Sequence, residues 1–180
     1  MRVSTNTIAS LQMPLRDKVK LLAEAGFDCY DISLFSGYDQ RELDGDDYRE
    51  KAQALRKYAD SIGIACNQAH APFGGIYGTP DNEEGFAAVV RSMEIAAILG
   101  ASIIVVHPCQ HLNYAESREE LFAINLDYYK RLIPYAERFG IKIATENMWQ
   151  NNCGARVPTD SVCSRWRRKR GSTSPSRTSR

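Results

Sequence analysis

LGASIIVVH, residues 99–107, joins a segment with helical spacing of apolar residues to a short run of Ile and Val, with Gly100 at the junction. Three other stretches have the same form: AGFDCYDI at 25–32, IGIACNQAH at 62–70 and FGIKIATEN at 139–147. Glycine just past a helix end adopts the left-handed conformation that closes the last turn. A strand that follows at once, in a repeated cycle, is typical of an array of βα units that builds a parallel sheet.

Working outward from these junctions predicts an α/β fold with about five parallel strands and four helices. The predicted strands are 2–8, 27–34, 64–70, 102–107 and 141–146. The predicted helices run from Pro14 to the residue before Gly26, over about 47–62, from near 81 to the residue before Gly100, and over 117–139. A complete (β/α)₈ barrel needs roughly 250 residues, and the chain has 180. We therefore predict a partial TIM barrel over residues 1–150.

The remaining residues change in composition. We interpret 151–164 as a loop leading towards a missing helix and 165–180 as a disordered basic tail. The tail, RWRRKRGSTSPSRTSR, holds seven of the 23 Lys and Arg residues and no acid, which leaves 16 basic against 22 acidic residues over 1–164. An acidic body is a poor match for a phosphate backbone, so nucleic acid is an unlikely partner.

From the sequence we expect no membrane-spanning segment and no export signal. The start, MRVSTNTIAS, lacks the basic and apolar regions of a signal peptide, and no apolar run approaches membrane-spanning length. The five cysteines are scattered without a CxxC pair, which favours reduced thiols in a cytoplasmic protein.

Three residues that can bind a metal or transfer a proton stand at predicted strand ends. They are His70, His107 and Glu146. Residues at the carboxyl ends of barrel strands form a ring at the face where such barrels carry out chemistry. Strand alternation places Cys66 and Gln68 on the same side as His70. A carboxylate directly after an apolar strand must be paired, metal-bound or solvated, because burying it alone costs several kcal/mol.

Further members of this ring have weaker signals. Asn147 can orient a ligand or the neighbouring carboxylate, and Asp31 follows the second strand together with Ser33. Each candidate also has a structural interpretation. The histidines can anchor loops, Glu146 can form a salt bridge, and Asp31 can bind backbone amides at the rim.

The strings QAHAPF at 68–73, VVHP at 105–108 and ATENM at 144–148 resemble the sugar phosphate isomerase/epimerase family. That family has the xylose-isomerase-like TIM barrel fold. The opening is also similar, with EAGFD at 24–28 before a strand that ends in an acid. In order and spacing, the strings resemble the superfamily over about residues 1–164 and specify no substrate.

The resemblance implies that Glu146 binds a divalent metal (Mn, Mg, Co or Zn) and acts as one of two acid/base carboxylates. It implies that His70 and His107 line a pocket for a sugar or sugar phosphate. From their places in the ring of strand ends, we expect Asn147 and Asp31 to bind substrate there as well. The expected chemistry is metal-assisted proton abstraction next to a carbonyl of a ketose. In the family, strands six to eight supply an Asp, a His and a Glu to the metal. This sequence shows no such strands, so we expect a C-terminally truncated or frame-shifted chain with an incomplete site.

Two alternatives remain open. The first is a zinc phosphodiesterase similar to the barrel-type apurinic-site endonucleases, in which His70, His107 and Glu146 would all bind the metal. The second is a non-catalytic half-barrel fragment. Because an open fragment exposes sheet edges, a homo-oligomer or a complementing chain is the expected partner.

Overall fold

The computed structural model describes residues 2–7, 13–34, 39–72, 83–109, 112 and 116–146. Its strands are β1 (Ser4–Asn6), β2 (Cys29–Ser33), β3 (Ala65–His70), β4 (Ile103–Val106) and β5 (Lys142–Thr145). Its helices are α1 (Leu15–Glu24), α2 (Asp39–Glu42), α3 (Tyr48–Ser61), α4 (Glu83–Leu99) and α5 (Arg118–Phe139). The five strands and four long helices lie where the sequence predicts them, and α2 is an additional single turn. The predicted loop at 151–164 and tail at 165–180 lie outside the described residues.

Each of the four junction glycines closes a helix as predicted. Their φ angles lie between 66° and 88°, a region that residues with a Cβ rarely adopt. At the end of α5, the N–H of Gly140 donates to the carbonyl of Glu137 and that of Ile141 donates to Ala136. This pair of bonds is the Schellman motif, which satisfies helix carbonyls and turns the chain directly into β5.

All five strands are parallel and lie in the order β1-β2-β3-β4-β5. Sequential order is the order of a (β/α)₈ barrel, whereas a doubly wound sheet reverses direction at a switch point. The partial TIM barrel is therefore confirmed.

The core lies between one face of the sheet and the helices. Tyr30 and Ile32 of β2 and Ile104 of β4 are fully buried on this outer face. Helix residues that are equally buried pack in the same hydrophobic cluster: Val19, Ala52, Met93 and Leu132. The opposite face, here called the inner face, carries the alternate residues of each strand.

A β-bulge in β3 changes which residues reach the inner face. Tyr30 pairs with Cys66 and Asp31 pairs with Gln68, so Asn67 is the extra residue. The prediction that Cys66 shares a side with His70 is wrong, because the bulge turns Cys66 into the core beside Tyr30. Gln68 and His70 remain on the inner face with Asp31.

Cys29, Cys66 and Cys109 are buried free thiols, as expected. Burial raises the pKa of Cys66 to about 12 and that of Cys109 to about 11, which keeps both protonated and unreactive at neutral pH. Within the described ranges, no helix has the length and apolar character required to cross a bilayer.

Candidate metal centre

Three strand ends bring His70, His107 and Glu146 together on the inner face. His70 is the last residue of β3. His107 and Glu146 directly follow Val106 and Thr145, which are the last paired residues of β4 and β5. One nitrogen or oxygen from each of the three residues lies within 4.8 Å of the other two. We call this group the strand-end cluster.

The ends of β4 and β5 bring an imidazole nitrogen and a carboxylate oxygen close together. Nε2 of His107 lies 3.4 Å from Oε2 of Glu146, and the rings of His70 and His107 have centroids 5.6 Å apart. Two ligands of one tetrahedral ion with bonds of about 2.0–2.1 Å lie about 3.3 Å apart. The separation of His107 and Glu146 therefore suits ligands that share one ion.

Burial determines the charge state of the two histidines. It lowers the pKa of His70 below the usual value, and the nearby carboxylates of Glu146 and Asp31 only partly oppose this effect. Burial, followed by the neighbouring His70, lowers the pKa of His107. At neutral pH both imidazoles are therefore uncharged and each has a lone pair for a metal.

Glu146 supplies the charge and the access to solvent. Its side chain is 49% exposed, whereas that of His107 is 8% exposed. Two imidazoles and one carboxylate form a ligand set that suits zinc, manganese, iron or cobalt. The residues present therefore fit a divalent ion with one side open to a ligand from solution.

Asp31 lies on the same face but outside the strand-end cluster. Its carboxylate accepts hydrogen bonds from Asn67 Nδ2 at 3.0 Å, Ser4 Oγ at 3.2 Å and Gln68 Nε2 at 3.3 Å. These bonds reach both carboxylate oxygens and join Asp31 to a polar layer across β1, β2 and β3. Its predicted role in substrate binding remains a prediction, and Asn147 lies outside the described residues.

Sequence reasoning missed two α5 residues beside the strand-end cluster. Tyr129 contacts the ends of β4 and β5, and Asn125 contacts the backbone at Cys109. The available signal was their spacing of four residues, which places them on one face of α5. That face would have been distinguishable from an ordinary packing face only with knowledge of the neighbouring strands.

Comparison with known families agrees with the geometry. The family model described as xylose isomerase-like TIM barrel matches residues 19–161, well over half of the chain. The chain belongs to this family. No curated protein matches it.

Solved structures share the fold at low sequence identity. A D-tagatose 3-epimerase-like protein is 21% identical with a TM-score of 0.63, covering 82% of this chain and 53% of that one. D-psicose 3-epimerase in the presence of D-fructose is 16% identical with a TM-score of 0.65, covering 87% and 55%. The IolI protein with a bound zinc atom is 19% identical with a TM-score of 0.59, covering 81% and 51%. The chain thus spans about half the length of the structures it resembles.

Proposed function

We propose that this xylose isomerase-like chain supplies the β1–β5 side of a metal-dependent sugar isomerase or epimerase site. The observation that supports this most is the convergence of His70, His107 and Glu146 within 4.8 Å at three adjacent strand ends. The likeness to two 3-epimerase structures and to a zinc-bound protein points to the same class of substrate and cofactor.

The proposed reaction is proton abstraction from the carbon next to the carbonyl of a ketose or sugar phosphate. A divalent ion held by the strand-end cluster would polarise that carbonyl and stabilise negative charge on its oxygen. Glu146 is the proposed base: its carboxylate takes the proton, and the C–H electron pair forms a carbon–carbon double bond as charge moves to oxygen. Its exposed position lets a substrate approach.

The two histidines are proposed to hold the metal ion. As neutral imidazoles they are proposed to donate lone pairs to the ion, and the geometry favours this role over contact with sugar hydroxyls alone. Epimerisation also needs an acid on the opposite face of the substrate. Asp31 lies outside the strand-end cluster and accepts three hydrogen bonds there. Within the described residues we therefore propose one acid/base group, Glu146, and no second acid.

A half-reaction tests this proposal without requiring the second acid. The chain is loaded with Mn²⁺, Co²⁺ or Zn²⁺ and incubated in D₂O with a panel of ketoses and ketose phosphates, and ¹H NMR follows loss of the proton next to the carbonyl. We expect metal-dependent exchange that Glu146→Gln abolishes. The charge-matched control Glu137→Gln, in the last turn of α5 before β5 begins, should exchange like the parent chain. Absence of exchange with every sugar and metal would contradict the proposal.

A zinc phosphodiesterase is the second candidate, because the same two histidines and one glutamate match the ligand set implied by the apurinic-site endonucleases. Metal-dependent cleavage of abasic DNA, with no exchange on ketoses, would favour it.

The expected partner, a second copy or a complementing chain, remains a proposal. It is supported by Phe122, Leu126 and Ile133, which lie exposed along α5 at spacings of four and seven residues. An apolar stripe of this kind on a helix is suited to packing against another helix.

A further inference from the structure

Tyr129 of α5 joins the ends of the two strands that carry His107 and Glu146. Its hydroxyl donates to the carbonyl of Val106 at 2.8 Å and lies 2.8 Å from Oγ1 of Thr145. Val106 and Thr145 are partners in the ladder and are its last registered pair. One side chain therefore spans the strands at the position just before both candidate ligands.

The direction of these hydrogen bonds follows from the number of protons. A phenol has one hydrogen, and a carbonyl can only accept. Since Tyr129 donates to Val106, the hydroxyl of Thr145 must donate to the oxygen of Tyr129. Burial raises the pKa of Tyr129 to about 12, so the donor persists at neutral pH.

Asn125 holds the chain on the other side of His107. Its Oδ1 accepts from the N–H of Cys109 at 2.6 Å, and its Nδ2 donates to the carbonyl of Cys109 at 3.1 Å. Nδ2 also donates to the carbonyl of Leu121 at 2.8 Å, which fixes the amide against its own helix. The backbone around His107 is thus tied to α5 at Val106, one residue before it, and at Cys109, two residues after it.

The hydrogen-bonded ladder of β4 and β5 ends at Val106 and Thr145. It therefore does not set the distance between the residues that follow, His107 and Glu146. We propose that Tyr129 and Asn125 are positioning residues that hold His107 and Glu146 at the separation needed to share one metal ion. This inference rests on the proposed metal function of the strand-end cluster. Neither residue touches the ion or substrate in this scheme, and both act through the backbone.

The experiment compares Tyr129→Phe with Tyr128→Phe in the full chain. Tyr128 is the adjacent buried tyrosine, and its ring packs edge-on against Phe86 and against Tyr129. Because Tyr128→Phe keeps both ring contacts, it controls for the loss of a buried phenol hydroxyl. Co²⁺ is titrated into each variant and its visible d–d absorption is recorded, because that absorption reports both affinity and ligand geometry. Partners that orient metal ligands indirectly typically contribute 10- to 100-fold in affinity. We expect Tyr129→Phe to weaken Co²⁺ binding about tenfold or more with an altered spectrum, and Tyr128→Phe to change it less than twofold.

Thr145 provides a second test that keeps the tyrosine ring in place. Thr145→Val removes the hydroxyl that donates to Tyr129, whereas Thr145→Ser retains it. We expect Thr145→Val to weaken Co²⁺ binding several-fold and Thr145→Ser to restore parental affinity and spectrum. If Tyr129→Phe and Thr145→Val bind Co²⁺ as the parent does, the positioning inference is wrong, even where unfolding shows them to be less stable.

Amide hydrogen exchange separates this inference from the proposed function. If the parent chain binds no Co²⁺, the proposed metal function fails. The inference is then judged by exchange at the amides of His107 and Glu146, which should accelerate in Tyr129→Phe and not in Tyr128→Phe. Equal exchange in the two variants would overturn it.

Discussion

Glu146→Gln should weaken divalent metal binding by two to three orders of magnitude. The substitution keeps the shape of the side chain and one carbonyl oxygen, and it removes the single formal negative charge of the strand-end cluster. Because Glu146 is half exposed, a water-like dielectric gives a conservative figure. A unit charge and a divalent ion about 2.1 Å apart then attract by about 4 kcal/mol.

That attraction corresponds to about a thousandfold in affinity. The amide oxygen of Gln can still contact the ion, so we expect a loss on the order of 100- to 1,000-fold. Isothermal titration calorimetry with Zn²⁺ or Mn²⁺ measures it, and Glu137→Gln controls for the change in net charge. If Glu146→Gln binds within twofold of the parent, Glu146 does not hold the metal and the reasoning from strand-end geometry is refuted.

Three other outcomes follow from burial. Because folding lowers the pKa of His70 and His107, the unfolded chain takes up protons first. The free energy of unfolding should therefore fall as the pH drops below about 6.5, by up to about 1.4 kcal/mol per pH unit for each histidine. Urea unfolding midpoints at pH 7.5 and 5.5 in metal-free buffer measure this change. A rise in the midpoint on acidification would contradict the prediction. Leu132→Ala removes a fully buried side chain and should lower the free energy of unfolding in urea by about 2–5 kcal/mol. Leu126 is 46% exposed on the same helix, so Leu126→Ala should lower it by less than about 1 kcal/mol. Equal losses of stability in the two variants would place the core elsewhere. Phe122→Ser removes a side chain that is 70% exposed and should shift gel-filtration elution of a self-associated chain towards the monomer. Unchanged elution would show that the exposed apolar residues of α5 do not form the contact between copies.

The glycine junctions made the fold predictable from the sequence. Gly26, Gly63, Gly100 and Gly140 each close a helix and start a strand, and that local chemistry is sufficient to place β2 to β5. The strand ends then follow from the geometry of parallel sheets, which is why His70, His107 and Glu146 could be grouped before their distances were known.

The parts that depend on contacts between distant segments were not predictable. The bulge at Asn67 shifts which side chains of β3 face inward, and the sequence ACNQAH contains no residue pattern that predicts a bulge. Likewise, the hydrogen bonds of Tyr129 with Val106 and Thr145 depend on how α5 crosses β4 and β5. The spacing of residues along the sequence predicts which side chains share one face of a helix. It does not predict which backbone groups of other elements that face will contact.

The most direct test of the central claim, that three strand ends form one metal site, is anomalous diffraction from crystals of the chain soaked in Co²⁺ or Zn²⁺. We predict one strong peak on the inner face within about 2.0–2.2 Å of a nitrogen of His70, a nitrogen of His107 and an oxygen of Glu146. A peak bound elsewhere, or an empty strand-end cluster at saturating metal, would contradict the claim.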